Sequence, residues 1–147
     1  MSFDTEHKFQ DVFLTYLRNT TKCYAHCNTA STLSAGQPDI TICNDNGFVW
    51  YVENKVWRNK SLPTAPSQVQ DLLKGPQVNV IKHQLWRRNA PCIVVAQIGL
   101  VPDNVAICYK DKLFFMRWKD MIAAFSVIKS LEEFHQRIDA ATHKSAS

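Results

Sequence analysis

No apolar run in the chain approaches the length of a membrane span, and the first eleven residues are polar and charged where a secretory leader would be apolar. A membrane partner is therefore not expected. The five cysteines include no Cys-x-x-Cys pair. Cys23-x-x-His26-Cys27 is the one compact cluster and has no second half, so a structural zinc site is not expected. An odd number of thiols without a leader reads as reduced cysteine in a cytoplasm. Internal repeats and low-complexity segments are also missing, which argues against a repeat array or a disordered chain. What remains is a chain of 147 residues with eight Phe, four Trp and four Tyr, enough for one domain with a real core. Its net charge of +4 permits an anionic partner without requiring one.

Helical spacing of Phe9, Val12, Phe13, Tyr16 and Leu17 predicts a first helix over about Thr5 to Arg18, capped by Asp4 or Thr5. Glu6 stands at the head of that stripe. It reads either as a first-turn glutamate favoured by the helix dipole or as a carboxylate aimed at a cation, and the spacing does not choose. An irregular strand is expected within Thr21 to Thr29, with Tyr24 as its main apolar residue. After the prolines at 63 and 66, Gln68 to Leu73 reads as a short helix or as more loop. A second long helix is expected from Pro76, with Gln77, Ile81 and Leu85 on one face, ending near Asn89 to Pro91. Cys92 to Ile98 is a short continuous apolar run, as in a strand buried on both faces. Two further strands, Asn104 to Tyr109 and Leu113 to Met116, precede a helix over Lys119 to Ile128. A last helix opens at the capping box Ser130-Leu-Glu-Glu133.

The chemistry concentrates between Ala35 and Trp57. Asp39 opens one strand, Asn44-Asp45-Asn46-Gly47 is a dense turn signal, and Phe48 to Trp57 is an apolar strand interrupted by Glu53 and Lys55. Strand alternation puts Glu53 and Lys55 on one face and Asn54 on the other. A carboxylate and an ammonium on so apolar a strand cost stability unless they are paired or bind something. If the hairpin brings Asp39 near Glu53, two carboxylates and a lysine form a site for a hard divalent cation.

Pro38-Asp39, thirteen intervening residues and then Glu53-Asn54-Lys55 resemble the motif of the PD-(D/E)xK nuclease superfamily. Gly36-x-Pro-Asp39 at a hairpin, Val-Glu-x-Lys, and Pro76-Gln77 opening a helix are most similar to two of its branches. These are the virus-type replication-repair (VRR-Nuc) nucleases and the Holliday-junction resolvases. The resemblance spans about Thr5 to Ile98. It implies an α/β fold with a restriction-endonuclease-like α-β-β-β-α-β core, a mixed central sheet flanked by helices. The C-terminal β-hairpin and helices lie outside it. Asn89-Ala90-Pro91 stands where related chains often have a glycine turn. The implied activity is metal-dependent endonucleolytic hydrolysis of DNA phosphodiesters, with branched or junction DNA as the implied substrate, by a homodimer. In that reading Asp39 and Glu53 hold Mg²⁺, for which Mn²⁺ substitutes. The Asn54 backbone carbonyl and Glu6 are further ligands. Lys55 orients the attacking water or stabilises charge on the phosphate, and Gln77 positions the water or the phosphate. Arg58, Lys60, Lys74, Lys82, Arg87 and Arg88 are candidate phosphate contacts. The four tryptophans, Trp50, Trp57, Trp86 and Trp118, are either stacking platforms for bases or core. The competing readings are a nucleic-acid-binding protein without activity on the same scaffold, and an assembly component with an incidental motif.

Overall fold

The computed structural model describes residues 6–28, 35–98 and 103–146, leaving aside the side chains of residues 6, 7 and 144–146. Helix α1 (Glu6–Thr20) carries its apolar stripe inward, with Phe9, Phe13 and Leu17 buried. Three antiparallel strands follow as a meander: β1 (Tyr24–Cys27), β2 (Ile40–Cys43) and β3 (Val49–Trp57). The β2–β3 turn is organised by Asn44. Its Oδ1 accepts the Asn46 and Phe48 amides at 2.9 and 3.1 Å, and its Nδ2 donates to the Ile128 carbonyl at 2.7 Å. A short helix α2 (Pro66–Gln70) comes next.

The helical segment α3 then changes character along its length. It is α-helical at Gly75–Gln77, π-helical at Val78–Leu85 and 3₁₀ at Trp86–Arg88. The Trp86 amide donates to the Ile81 carbonyl five residues back, the wider loop that defines a π-turn. Asn89 ends the segment in the left-handed region, with φ of 58°. Asparagine is one of the few side chains that tolerates that conformation, which explains why no glycine is needed here. Lys110 Nζ donates to the Asn89 side-chain oxygen.

Strand β4 (Cys92–Ile98) runs parallel to β3, and all seven of its residues are buried. Strands β5 (Asn104–Tyr109) and β6 (Lys112–Arg117) extend the sheet antiparallel, giving the order β1-β2-β3-β4-β5-β6. Helices α4 (Trp118–Phe125) and α5 (Leu131–Ala146) close the fold. At the start of α5 the Glu133 amide donates to Ser130 Oγ, as a capping box requires, while the Glu133 carboxylate takes the amide of Lys129. The chain is thus mixed α/β, and the residues after Gly99 share its single sheet. Their buried aromatics join the core: Trp50 packs on Phe125, Phe125 on Phe134, and Phe9 on Trp118.

Strand parity assigns the two faces. Ala25, Ile40, Ile42, Trp50 and Val52 are buried on the side of α1 and α4. Tyr24, His26, Thr41, Tyr51, Glu53 and Lys55 lie on the other side, with α2 and α3. Tyr24 is therefore not the buried residue of β1 that its size suggests: it is 70% exposed, and the small Ala25 takes the buried place. In the stretch Leu113–Met116, Phe114 is buried and Phe115 is 36% exposed.

Candidate active site

Asp39 immediately precedes β2, whose pairing with β3 ends at Ile40 opposite Val52. Beyond that point β3 continues, among the described residues, without a strand partner on the β2 side. There the Asn54 amide donates to Asp39 Oδ2 at 2.8 Å, a side chain completing the work of a ladder bond. In a strand the N–H and C=O of one residue point to the same side, so the Asn54 carbonyl also faces the Asp39 side. The Asp39 backbone is pinned in turn. Its carbonyl accepts the Asn28 amide at 2.8 Å, while Asn28 Nδ2 donates to the Pro38 carbonyl at 2.7 Å and to Thr41 Oγ1 at 3.1 Å. The Asn54 side-chain amide lies on the opposite face, fully buried and without a hydrogen-bond partner, and nothing in the fold explains it.

Gly36 holds this loop against α3. It adopts φ of +89°, and a Cβ built on it would lie 2.2 Å from the Pro76 carbonyl oxygen and 3.0 Å from Val80. Both the backbone conformation and the approach exclude a side chain. Gly36→Ala is expected to lower stability by about 1–3 kcal/mol, on the scale of local backbone strain, and to shift Asp39 relative to α3. Denaturant unfolding checks the first effect. An unchanged midpoint would mean that the loop does not rely on this contact.

Glu53 and Lys55 are 1% and 3% exposed, an unusual depth for either residue type. Lys55 Nζ stands 3.6 Å from Glu53 Oε2. Gln77, in the first turn of α3, joins them. Its Oε1 accepts Lys55 Nζ at 2.7 Å and the Lys74 amide at 2.9 Å, and its Nε2 donates to Glu53 Oε2 at 3.0 Å. The amide orientation is forced, because an ammonium and a backbone N–H can only donate. Burial of this ion pair is tolerated because a third group supplies hydrogen bonds to both partners. Gln77→Ala is expected to leave the fold intact, since Gln77 is half-buried, while slowing any reaction that uses Glu53 and Lys55 by about tenfold, one charge-assisted hydrogen bond's worth. Circular dichroism and turnover measured together check this.

The carboxyls of Asp39 and Glu53 lie within hydrogen-bonding reach of each other. Desolvation raises the Asp39 pKa above its ordinary value, and the Asn54 amide, Glu53 and Lys55 offset part of that rise. Cys92, in the strand beside β3, is fully buried. Its thiol is held well above its usual range by burial first, then by Glu53 and Asp39, so it is inert as a nucleophile. With both carboxyls ionised, the cluster keeps a net negative charge that the single ammonium does not cancel. Such a pair favours either a shared proton or a cation. The described residues hold no group of three Asp, Glu, His or Cys side chains suited to a metal. The oxygen donors present for a hard divalent ion are Asp39, Glu53 and the Asn54 carbonyl. The Glu6 side chain lies outside the described residues.

The other residues singled out in the sequence are placed unevenly. Lys74, three residues before Gln77, is exposed, and exposed Arg58 and Lys60 follow β3 beyond Lys55. Lys82 is half-buried midway along α3. Arg87 and Arg88 are exposed at its far end, away from Gln77. Trp50, Trp57, Trp86 and Trp118 are all 5% exposed or less, so they are core and none presents a face to a base. The bridging geometry of Gln77 and the contact at Gly36 depend on how α3 docks, which spacing along the chain does not reveal. Comparison with protein-family models and with curated proteins found no match to the chain.

Proposed function

We propose that this protein is a divalent-cation-dependent nuclease that hydrolyses DNA phosphodiesters. The carrying observation is the buried cluster in which Asp39 and Glu53 face each other while Gln77 ties Glu53 to Lys55. A structural ion pair alone would not need a second carboxyl pressed against it at a cost in desolvation. The strand order supports the same reading: an antiparallel meander, then a helical crossover to a parallel β4, is the arrangement that the PD-(D/E)xK resemblance implies.

Asp39, Glu53 and the Asn54 carbonyl would hold the cation, Mg²⁺ or Mn²⁺ by their hard oxygen character. When bound, such an ion supplies Lewis acidity, making water more acidic and offsetting phosphate charge. Lys55 presents its ammonium where charge grows on the phosphate, and it is pre-oriented by Gln77, so little reorganisation is needed during reaction. Gln77 fixes the Glu53 carboxylate and holds Lys55 in place. Phosphate contacts from Arg58, Lys60 and Lys74 would hold the backbone nearby.

The test is single-turnover incubation of the full chain with labelled single-stranded, duplex, flap and four-way DNAs, in Mg²⁺ and in EDTA. Cleavage confined to Mg²⁺ is the expected result. Binding without cleavage of any substrate would favour an inactive nucleic-acid-binding scaffold, and equal cleavage in EDTA would remove the cation site.

A further inference from the structure

We infer that the open sheet face leading from the cluster to the β1 edge binds unpaired nucleotides of the strand being cut, with bases stacked on Tyr24. The inference rests on the proposed nuclease reading and names its substrate class. Three observations carry it. The first is parity: Asp39, Thr41, Tyr51 and Glu53 share the face that carries Tyr24 and His26, because Thr41 pairs with both His26 and Tyr51. The second is exposure. On that face Tyr24 is 70% exposed, His26 is exposed, and Thr41 and Tyr51 are half-buried, whereas every β4 residue is covered. Tyr24 pairs with Cys43 at the turn end of this face, with Thr41 and Tyr51 between it and Glu53; a large aromatic ring left this open suits a base whose π-face is free, some nucleotides along the strand from the cluster.

The third observation is charge. Between Asp71 and Asp103 the chain has no acidic residue, while Lys74, Lys82, His83, Arg87 and Arg88 all fall there. Val80 of α3 lies beside Gly36, in the loop that leads to Asp39, and Gln84 and Arg88 follow Val80 at intervals of four. The Arg88 guanidinium donates to both the carbonyl and the side-chain oxygen of Gln84, which fixes its place at the end of α3. Through Pro76 and Val80, which adjoin Gly36, α3 forms a wall on this side of the sheet that carries basic groups and no carboxylate. A phosphate backbone fits along such a wall, with its bases turned over the sheet. Asp45, exposed in the β2–β3 turn, is an acidic group at the end of the sheet where Tyr24 pairs with Cys43, away from Glu53. A duplex keeps its base faces stacked internally and cannot use Tyr24 in this way, so the occupant is single-stranded DNA such as the unpaired arm of a flap.

The experiment is fluorescence anisotropy of the full chain in EDTA, with labelled oligo-dT and a blunt duplex of equal length as probes. Tyr24 projects into solvent, so its replacement leaves the core untouched. Tyr24→Ala is expected to weaken oligo-dT binding by at least about 5-fold, the loss of one stacked base, and to leave duplex binding unchanged. Tyr24→Phe, which keeps the ring, should bind like the wild type. Equal oligo-dT binding by Tyr24→Ala, equal weakening towards both probes, or no oligo-dT binding by the wild type would each overturn the inference. Cleavage assayed on the same preparations separates the two proposals. Tyr24-dependent binding without Mg²⁺-dependent cutting sinks the nuclease reading and keeps the surface. Cutting with binding indifferent to Tyr24 does the reverse.

Discussion

Replacing Asp39 by asparagine is expected to abolish Mg²⁺-dependent cleavage while leaving the metal-free protein as stable as before or more so. The two effects have one cause. Burial of the Asp39 carboxyl raises its pKa in the folded state, and the Asn54 amide, Glu53 and Lys55 only partly offset that rise. A carboxyl with a raised folded pKa binds more protons when folded than when unfolded, over the window from its ordinary value near 3.8 up to the raised one. Stability therefore falls as pH rises through that window, and the penalty persists at neutral pH. Asparagine removes the penalty and retains an oxygen to accept the Asn54 amide. It also removes one of the two carboxylates proposed to hold the cation. Thermal melts in EDTA at about pH 4 and at neutral pH should show the wild type losing this contribution as pH rises and Asp39→Asn not losing it. A normal cleavage rate in Asp39→Asn would falsify the assignment of Asp39 as a ligand.

Lys55→Met is expected to lower the cleavage rate by about 10²–10³-fold, on the scale of removing a donor to developing charge. Its effect on stability should have the opposite sign. Methionine fills most of the volume but leaves Glu53, 1% exposed, without its ammonium. Stranding one member of a buried ion pair typically costs about 3–5 kcal/mol. Mg²⁺ should restore part of that loss, because a cation between Asp39 and Glu53 replaces the missing positive charge. The measurement is a pair of melting curves, with Mg²⁺ and with EDTA, for the wild type and the variant. If Mg²⁺ raises the melting temperature of the variant no more than that of the wild type, the cation does not sit against Glu53.

Several features of the fold were legible from residue order because they depend on local chemistry. Cys92–Ile98 reads as a doubly covered strand since no residue in it offers a charge to solvent. Ser130 and Glu133 announce a helix start that the hydrogen bonds then make. Strand parity alone aligned Glu53 with Lys55. What was not legible depends on contacts between distant segments. In a four-residue strand such as Tyr24–Cys27, the tyrosine can face either way. The choice falls to the small residues, because Ala25 fits beneath α1, where Arg18 reaches its carbonyl. The π-helical stretch was equally hidden: spacings of four, as in Gln77, Ile81 and Leu85, suit both 3.6 and wider turns over so short a length. The tryptophans offered two roles, and core packing against Phe9, Phe125 and Tyr109 decided for one.

The order of strands across the sheet is the order of strands along the chain, and this bears on how the molecule is made. Each strand, as it emerges during synthesis, has its neighbour already waiting, and none must be threaded between two others. Only the crossover from β3 to β4 requires a long closure, so most pairing is local and fast. Helix α1 is the exception. Its Phe9 and Phe13 rest on Trp118, more than a hundred residues later. Helix α1 thus waits with part of its aromatic face uncovered until all six strands and the start of α4 have appeared, and it depends on that late arrival for shelter.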